Sequence, residues 1–277
     1  MKKVFGLLGH PIEHSMSPVM HKTAYEQSNM NATYVAFDVA PENLENAVIG
    51  IRALNIQGCN VTIPHKVEVM KYLDEIDEEA RQIGAVNTIS NENGHLKGYN
   101  TDGRGYIQSL LNVVADFSGK TILIIGAGGA ARAVVAALLT HQPLQIVIAN
   151  RTLEKADTLA QLFQSNTTTV IASTIANAAA KLEQYSIVIN TTSVGMSPHV
   201  EDMPISLERL SPNAVVSDLI YNPLETRLLK EAKKRNAQVL NGVGMFVHQG
   251  ALSIEHWTGV YPDPVPMRKT VLTQLKK

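Results

Sequence analysis

The sequence predicts an α/β protein of two domains, each built on a mainly parallel sheet. Three observations predict it. The chain has 277 residues, long for one core and comfortable for two domains of ordinary size. Short apolar runs alternate with longer amphipathic ones almost from end to end, which is the pattern of successive βαβ units. The alternation falls into two series that join near residues 99–106, and the turn Phe117-Ser118-Gly119-Lys120 enters the second.

In the first series, residues 3–8, 33–39, 58–62 and 85–89 read as strands, being rich in Val, Ile, Thr and aromatic side chains. Between them, 18–28, 41–54 and 64–73 carry helical spacing, each with proline at or near its first turn. In 41–54, Leu44, Ala47, Val48 and Ile51 fall on one stripe. In the second series, 121–125, 145–149, 169–172, 187–190 and 215–218 read as strands, with helices such as 129–140 and 153–163 between them. After Gly242 a helical pattern runs to about Trp257. Pro262, Pro264 and Pro266 then form a kinked link to a last helix, 267–275. Periodicity alone does not decide which domain these helices complete. The expected division is a first domain of 1–102, a second of 103–239 and the closing helices of 240–277. No fixed-period repeat or low-complexity tract appears.

Composition narrows the function. About 45% of residues are apolar and 18% charged, an ordinary globular balance. The formal net charge is −1 without long runs of either sign, so no footprint for nucleic acid or an anionic membrane is visible. The single cysteine, Cys59, cannot form an internal disulfide, which fits a reducing compartment. Lys2 and Lys3 ahead of residues 4–8 could open a signal peptide. That apolar run breaks at Gly9-His10-Pro11 and Glu13, short of the ~7–15 residues a signal core needs. No stretch reaches the ~18 uninterrupted apolar residues of a membrane span. A cytoplasmic protein is expected.

The strongest motif is Gly126-Ala127-Gly128-Gly129-Ala130-Ala131, directly after the strand at 121–125. It fits the dinucleotide fingerprint G-x-G-x-x-G/A: Gly126 permits the tight turn, Gly128 lets backbone approach a pyrophosphate, and Ala131 lets helix and strand pack closely. The following helix would offer free N–H groups and its positive dipole end to the phosphates. The next strand supplies the discriminator. A NAD site usually places Asp or Glu at that strand's end, ~20 residues on. Here the strand ends at Asn150-Arg151-Thr152, with Lys155 one turn later. Arg151 can bind a 2′-phosphate in a fork and stack on the adenine. At roughly 1.5–3 kcal/mol for each charge-assisted contact, Arg151 and Lys155 together predict NADP over NAD by about a hundredfold or more.

The first series holds polar residues at strand ends and helix starts. Ser15-Met16-Ser17-Pro18 precedes a helix, with Ser17 placed as N-cap and Pro18 at the first helical position. Capping leaves Ser15 unexplained, and two hydroxyls beside a helix start also make a cradle for a carboxylate. In Asn60-Val61-Thr62-Ile63-Pro64-His65-Lys66, an extended segment turns Asn60 and Thr62 to the same side. Lys66 then falls in a first helical turn, where the dipole opposes its charge; a residue set against a local rule is a functional suspect. Asn87 ends Ala85-Val86-Asn87, and Asn100-Thr101-Asp102-Gly103 lies at the join. Asp102 either caps the next helix or faces Lys66.

Together these segments resemble the shikimate dehydrogenase family in content and order. The resemblance continues through Asn190-Thr191-Thr192-Ser193-Val194-Gly195-Met196, Asp218-Leu219-Ile220-Tyr221-Asn222-Pro223, Gly242-Val243-Gly244-Met245 and Gln249-Gly250-Ala251, and so spans essentially the whole chain. It implies a substrate-binding domain of 1–102, completed by the helices of 240–277, and a Rossmann-like NADP-binding domain of 103–239. It also implies reversible NADPH-dependent reduction of 3-dehydroshikimate to shikimate, in chorismate and aromatic amino acid biosynthesis. By the same resemblance Lys66 is the acid/base group and Asp102 pairs with it, while Ser15 and Ser17 hold the substrate carboxylate. Asn60, Thr62, Asn87, Tyr221 and Gln249 would hold hydroxyls and ring. Cofactor contacts would come from Gly126, Ala127, Gly128, Gly129, Ala130, Ala131, Asn150, Arg151, Thr152, Lys155, Thr191, Ser193, Leu219, Gly242 and Met245. Lys155 stands where many relatives have arginine.

No metal is expected, because the nine histidines show neither paired helical spacing with an acid nor a cysteine partner. His14 and His65 receive no role. The expected partners are a small-molecule substrate and the cofactor, on a monomer or homodimer. Three rivals share parts of the pattern. A quinate/shikimate dehydrogenase using NAD is opposed by Arg151. A folate methylene dehydrogenase shares only the two-domain plan. A non-catalytic NADP-binding module would leave Lys66 and Asp102 without purpose.

Overall fold

The Val- and Ile-rich runs of the sequence become strands because branched side chains pack well on a pleated surface. The computed structural model describes residues 2–276. In chain order the first elements are β1 (Lys3–Gly9), α1 (Ser17–Gln27), β2 (Ala32–Asp38), α2 (Leu44–Ala53), β3 (Gly58–Val61), β4 (Glu75–Ile76), α3 (Glu78–Ile83), β5 (Thr88–Glu92), β6 (His95–Tyr99) and α4 (Asp102–Leu110). They build a sheet of order β2-β1-β3-β5-β6-β4. β1 runs parallel to β2 and β3, and β4 parallel to β6. β5 is antiparallel to both neighbours. That reversal comes from a hairpin whose turn, Asn93-Gly94, has φ of 56° and 93°. Both values lie in the left-handed region that a two-residue turn of this hand requires.

Three local expectations are corrected here. Residues 64–73 were expected to be helical, but they form turns followed by a short 3₁₀ stretch, Glu68–Tyr72. The cause is visible in the hydrogen bonds: the Lys66 carbonyl, which a helix would direct along its own axis, accepts from the Val86 N–H at 2.7 Å. The strand expected at 85–89 starts only at Thr88, since Val86 is paired with that turn and Asn87 N–H donates to the Tyr99 carbonyl. At the far end, the kinked link expected before residue 267 is already helix. The last helix starts at Pro264, where Asp263 accepts from the Val265 N–H and prolines in the first turn cost no hydrogen bond.

The chain continues into β7 (Thr121–Ile125), α5 (Gly129–Leu139), β8 (Gln145–Asn150), α6 (Leu153–Leu162), β9 (Thr169–Thr174), α7 (Ile175–Ala180), β10 (Ile187–Asn190), β11 (Val215–Asp218), α8 (Arg227–Lys234) and β12 (Gln238–Leu240). These strands are all parallel, in the order β12-β11-β10-β7-β8-β9. Within β7, Ile122 and Ile124 enter one core cluster with Val134 and Leu138, while Leu123 and Ile125 enter another with Val188 and Leu228. A sheet covered on both faces explains why its strands read as unbroken apolar runs. Successive strands step outward from β7 through β8 to β9, and then from β10 through β11 to β12. The order therefore reverses between β7 and β10, which creates a crevice at their carboxyl ends.

Two helices close the sequence, α9 (Val243–Thr258) and α10 (Pro264–Gln274). The chain packs as two units, Tyr106–Phe246 and a discontinuous one formed by the chain up to Gly105 and from Val247 onward. α10 lies against α1, where the Thr23 and Thr270 hydroxyls bond at 3.0 Å. Trp257 of α9 stacks on Phe5 and donates to the Ile89 carbonyl. Among the described residues no helix is long and apolar enough to cross a membrane.

Candidate active site

Lys66 leaves the turn after β3, and Asp102 opens α4. Lys66 Nζ donates to Asp102 Oδ2 at 2.6 Å, and the two side chains are 31% and 11% exposed. An ion pair this sheltered keeps more of its Coulomb attraction than a surface pair. Asp102 Oδ1 accepts from Asn87 Nδ2 at 2.8 Å. Both carboxylate oxygens are therefore engaged by side chains, so Asp102 faces Lys66 and is not simply a helix cap. Two related expectations change. Lys66 lies in a turn, so the helix-dipole argument made for it falls. Ser17 is the first residue of α1, not its cap: Met16 holds the cap position with no side-chain bond, and Pro18 comes second.

A buried polar network stands behind the pair. Asn87 Nδ2 also reaches Thr101 Oγ1 at 2.9 Å, and its Oδ1 accepts from the Thr101 N–H at 2.8 Å and from Thr88 Oγ1 at 2.9 Å. Ser253 on α9 bonds Thr88 Oγ1 and accepts from Asn60 Nδ2, both at 2.8 Å. Asn60 Oδ1 accepts from the Tyr34 hydroxyl at 2.8 Å. Burial raises the Tyr34 phenol well above its ordinary range, with a Ser17 hydrogen bond pulling the other way. Asn60, Asn87, Thr88, Thr101 and Ser253 are all buried. Such groups are favourable only when every partner is supplied.

The structure brings Lys66, Asp102, Asn87 and Asn60 into this one network. Gln249 joins through its backbone carbonyl, which accepts from Thr101 Oγ1 at 3.0 Å and Ser253 Oγ at 2.9 Å. Thr62 is half-buried just past β3. Ser15 and Ser17 form a local turn in which Ser15 Oγ accepts from the Ser17 N–H at 3.2 Å. Sequence reasoning missed Tyr34 and Ser253. Ser253 lies one helical turn beyond Gln249, a spacing that places both on one face and would have found it. Tyr34 sits inside a strand and gave no signal. His21 stacks on Tyr34 with centroids 4.0 Å apart, and neither of its ring nitrogens has a partner among the described residues. Burial lowers its pKa to about 3. His65 is also buried, with its ring bonded to the Val39 carbonyl.

The second unit offers a different surface. Gly126 has φ of +112°, and a side chain there would meet Thr191 Oγ1 at 2.6 Å. Only glycine permits that turn. At Gly128 and Gly129 a side chain would meet nothing within 4 Å. No protein contact requires glycine at these two positions, so the bare backbone fits a phosphate approaching the start of α5, where no side chain caps the helix. Ala130 follows within the same helical turn, and Ala131 is fully buried. At the end of β8, Asn150 Nδ2 donates to the Thr152 carbonyl. Arg151 and Lys155 are exposed, and neither side chain has a hydrogen bond or ion pair among the described residues. Thr191 is tied to the Ile125 carbonyl by its N–H and its hydroxyl. Ser193 is exposed and Leu219 half-buried. Met245 packs on the core beside α5, and Gly242 abuts the Leu219 carbonyl too closely for any side chain. Tyr221, in this unit, stacks on Phe246 at 4.8 Å. These residues fit a dinucleotide with a 2′-phosphate. Among the described residues no group of three or more His, Cys, Asp and Glu side chains is placed to hold a metal ion.

Family models match three stretches of the chain. A shikimate dehydrogenase substrate binding domain matches residues 7–89, a shikimate / quinate 5-dehydrogenase matches 108–208, and a shikimate 5′-dehydrogenase C-terminal domain matches 242–272. A shikimate dehydrogenase (NADP(+)) from a Geobacillus species is 52% identical over 277 residues, covering 100% of both chains. A crystal structure of a shikimate dehydrogenase in complex with NADP+ superposes with a TM-score of 0.94 at 48% identity, covering 100% of this chain and 96% of that one. The shikimate 5-dehydrogenase of Thermus thermophilus, in complex with NADP(H) and shikimate, gives 0.89 at 34% identity, covering 98% and 99%.

Proposed function

The chain belongs to the shikimate dehydrogenase family, and from that premise we propose that it catalyses the reversible NADPH-dependent reduction of 3-dehydroshikimate to shikimate, a step of chorismate and aromatic amino acid biosynthesis. The observation that carries the reading is the Lys66–Asp102 pair at 2.6 Å with Asn87 on its other side.

When bound, the nicotinamide supplies or accepts the hydride. The protein supplies position and charge. In reduction the Lys66 ammonium donates a proton to the oxygen of the substrate carbonyl as it becomes an alcohol; in oxidation the Lys66 amine removes that proton. Asp102 orients Lys66, and Asn87 holds Asp102 in place. Proton transfer needs the donor within hydrogen-bond reach of the reacting oxygen, so a fixed ammonium is worth more than a mobile one. Ser15 and Ser17 hold the substrate carboxylate, while Asn60, Thr62, Asn87 and Gln249 hold its hydroxyls and ring. The glycine turn and the start of α5 take the pyrophosphate of NADP, Arg151 and Lys155 its 2′-phosphate, and Thr191, Ser193, Leu219, Gly242 and Met245 line the rest.

The single buried cysteine supports a reducing, cytoplasmic setting. The net charge of −1 gives no support to a nucleic-acid partner, and the enzyme works as a monomer or homodimer. A steady-state assay crossing shikimate and quinate with NADP and NAD, followed by the absorbance of reduced nicotinamide, tests the proposal. Shikimate with NADP is expected to be fastest, with kcat/KM for NAD lower by about a hundredfold. Faster turnover of quinate with NAD, or no turnover at all, would overturn it.

A further inference from the structure

One buried carboxylate plays no part in the mechanism above. Asp218, the last residue of β11, is fully buried, and no cation pairs with it among the described residues. Three donors serve it instead. Asn190 Nδ2 and the Ile220 N–H reach Oδ1 at 3.0 and 3.1 Å, and Thr226 Oγ1 reaches Oδ2 at 2.7 Å. Burial pushes its carboxyl up to about 6, with the donors from Thr226, Ile220 and Asn190 acting in the opposite direction. Burying a carboxylate without a counter-ion is costly, and a sheet that needed only stability would gain more from an apolar side chain here.

The three donors come from different segments. Asn190 ends β10, Ile220 lies in the loop after β11, and Thr226 caps α8 through the Leu229 N–H. Asn190 shapes the next loop in turn: its Oδ1 accepts from the Thr192 N–H and hydroxyl, and its Nδ2 donates to the Val194 carbonyl. One carboxylate thus fixes both the loop carrying Thr191 and Ser193 and the loop carrying Leu219 and Tyr221. A dinucleotide lies across the crevice where strand order reverses. With the 2′-phosphate on Arg151 at the end of β8, the nicotinamide half falls to the β10 and β11 side. Resting on the cofactor reading above, we infer that Asp218 is a positioning residue which, through Asn190, holds these two loops in the form that receives the nicotinamide half of NADP.

Adenosine 2′,5′-bisphosphate carries the adenosine half alone, so it separates this role from a purely structural one. Isothermal titration of the full chain with NADP+ and with the bisphosphate is expected to show D218N weakening NADP+ by about tenfold, the loss of roughly one charge-assisted hydrogen bond. The bisphosphate is expected to stay within about twofold, since its adenosine and 2′-phosphate rest at the end of β8 and only its 5′-phosphate nears the glycine turn beside Thr191. Asn190→Ala, which keeps the carboxylate but cuts its link to the β10 loop, is expected to give the same selective pattern if D218N fails to fold. Equal losses for both ligands, or none for NADP+, would overturn the inference. A wild-type chain that binds neither ligand would instead overturn the cofactor reading on which it rests.

Discussion

Around Lys66 and Asp102 the polar side chains bond to one another, whereas at Gly128 and Gly129 the backbone is left bare and Arg151 and Lys155 reach solvent without partners among the described residues. The first arrangement places groups before any ligand arrives. An ammonium that must meet one oxygen gains from such prior placement. The second leaves its bonding capacity unspent, which suits a large, charged ligand with its own hydrogen-bond acceptors. Substrate chemistry and cofactor recognition thus draw on opposite stocks, satisfied side chains in one unit and unsatisfied backbone and charge in the other.

The largest effect that would break this comparison comes from its centre. Lys66→Ala is expected to lower kcat by ~10²–10⁴, with the substrate KM changed far less. A near-wild-type kcat would leave the network without a chemical purpose. Next in size, Arg151→Ala is expected to raise the KM for NADP by about ten- to a hundredfold and leave that for NAD nearly unchanged, because an unpartnered side chain disturbs nothing else when removed. Equal effects on both cofactors would mean that Arg151 supports the fold.

The smallest effect concerns acid. His21 is buried without a partner and its pKa is lowered from 6.5 to about 3, so between those values the unfolded chain binds more protons than the folded one. Stability from this group is complete above pH 6.5 and is lost as pH falls toward 3. Asp218 has the opposite sign: raised from 3.8 to about 6, it favours the folded state most at low pH and loses that contribution as pH rises through 6. Thermal melts across this range are expected to show a shallower acid loss in His21→Phe. An unchanged slope would remove His21 from the account.

The cofactor half was the more legible in sequence. Its glycines follow a strand and open a helix, and Arg151 sits at a fixed offset from them, so a local pattern carries the phosphate and adenosine end of the proposed site. Five of the six parallel strands around it were found to within two residues, because burial makes most of them continuously apolar, whereas the short, half-exposed edge strand β12 was missed. The substrate half was legible only in pieces. Asn60, Asn87 and Asp102 drew notice at strand and helix ends, but Thr88 and Ser253 join them across 165 residues of chain, and no local pattern encodes that contact. The same limit explains the turn at 64–73, whose helical spacing lost to the tertiary bond between Lys66 and Val86. The hairpin at Asn93-Gly94 was readable from its two residues alone, yet the strand that follows it, β6, was not among the expected ones.

Ser253 and the Gln249 carbonyl complete the network behind Lys66, yet both belong to a helix made after the whole intervening unit. On the ribosome, the nucleotide-binding half therefore has its full sheet in hand while the proton-handling half is still missing a wall. Order of synthesis makes the support behind the Lys66–Asp102 pair the last part to be set in place.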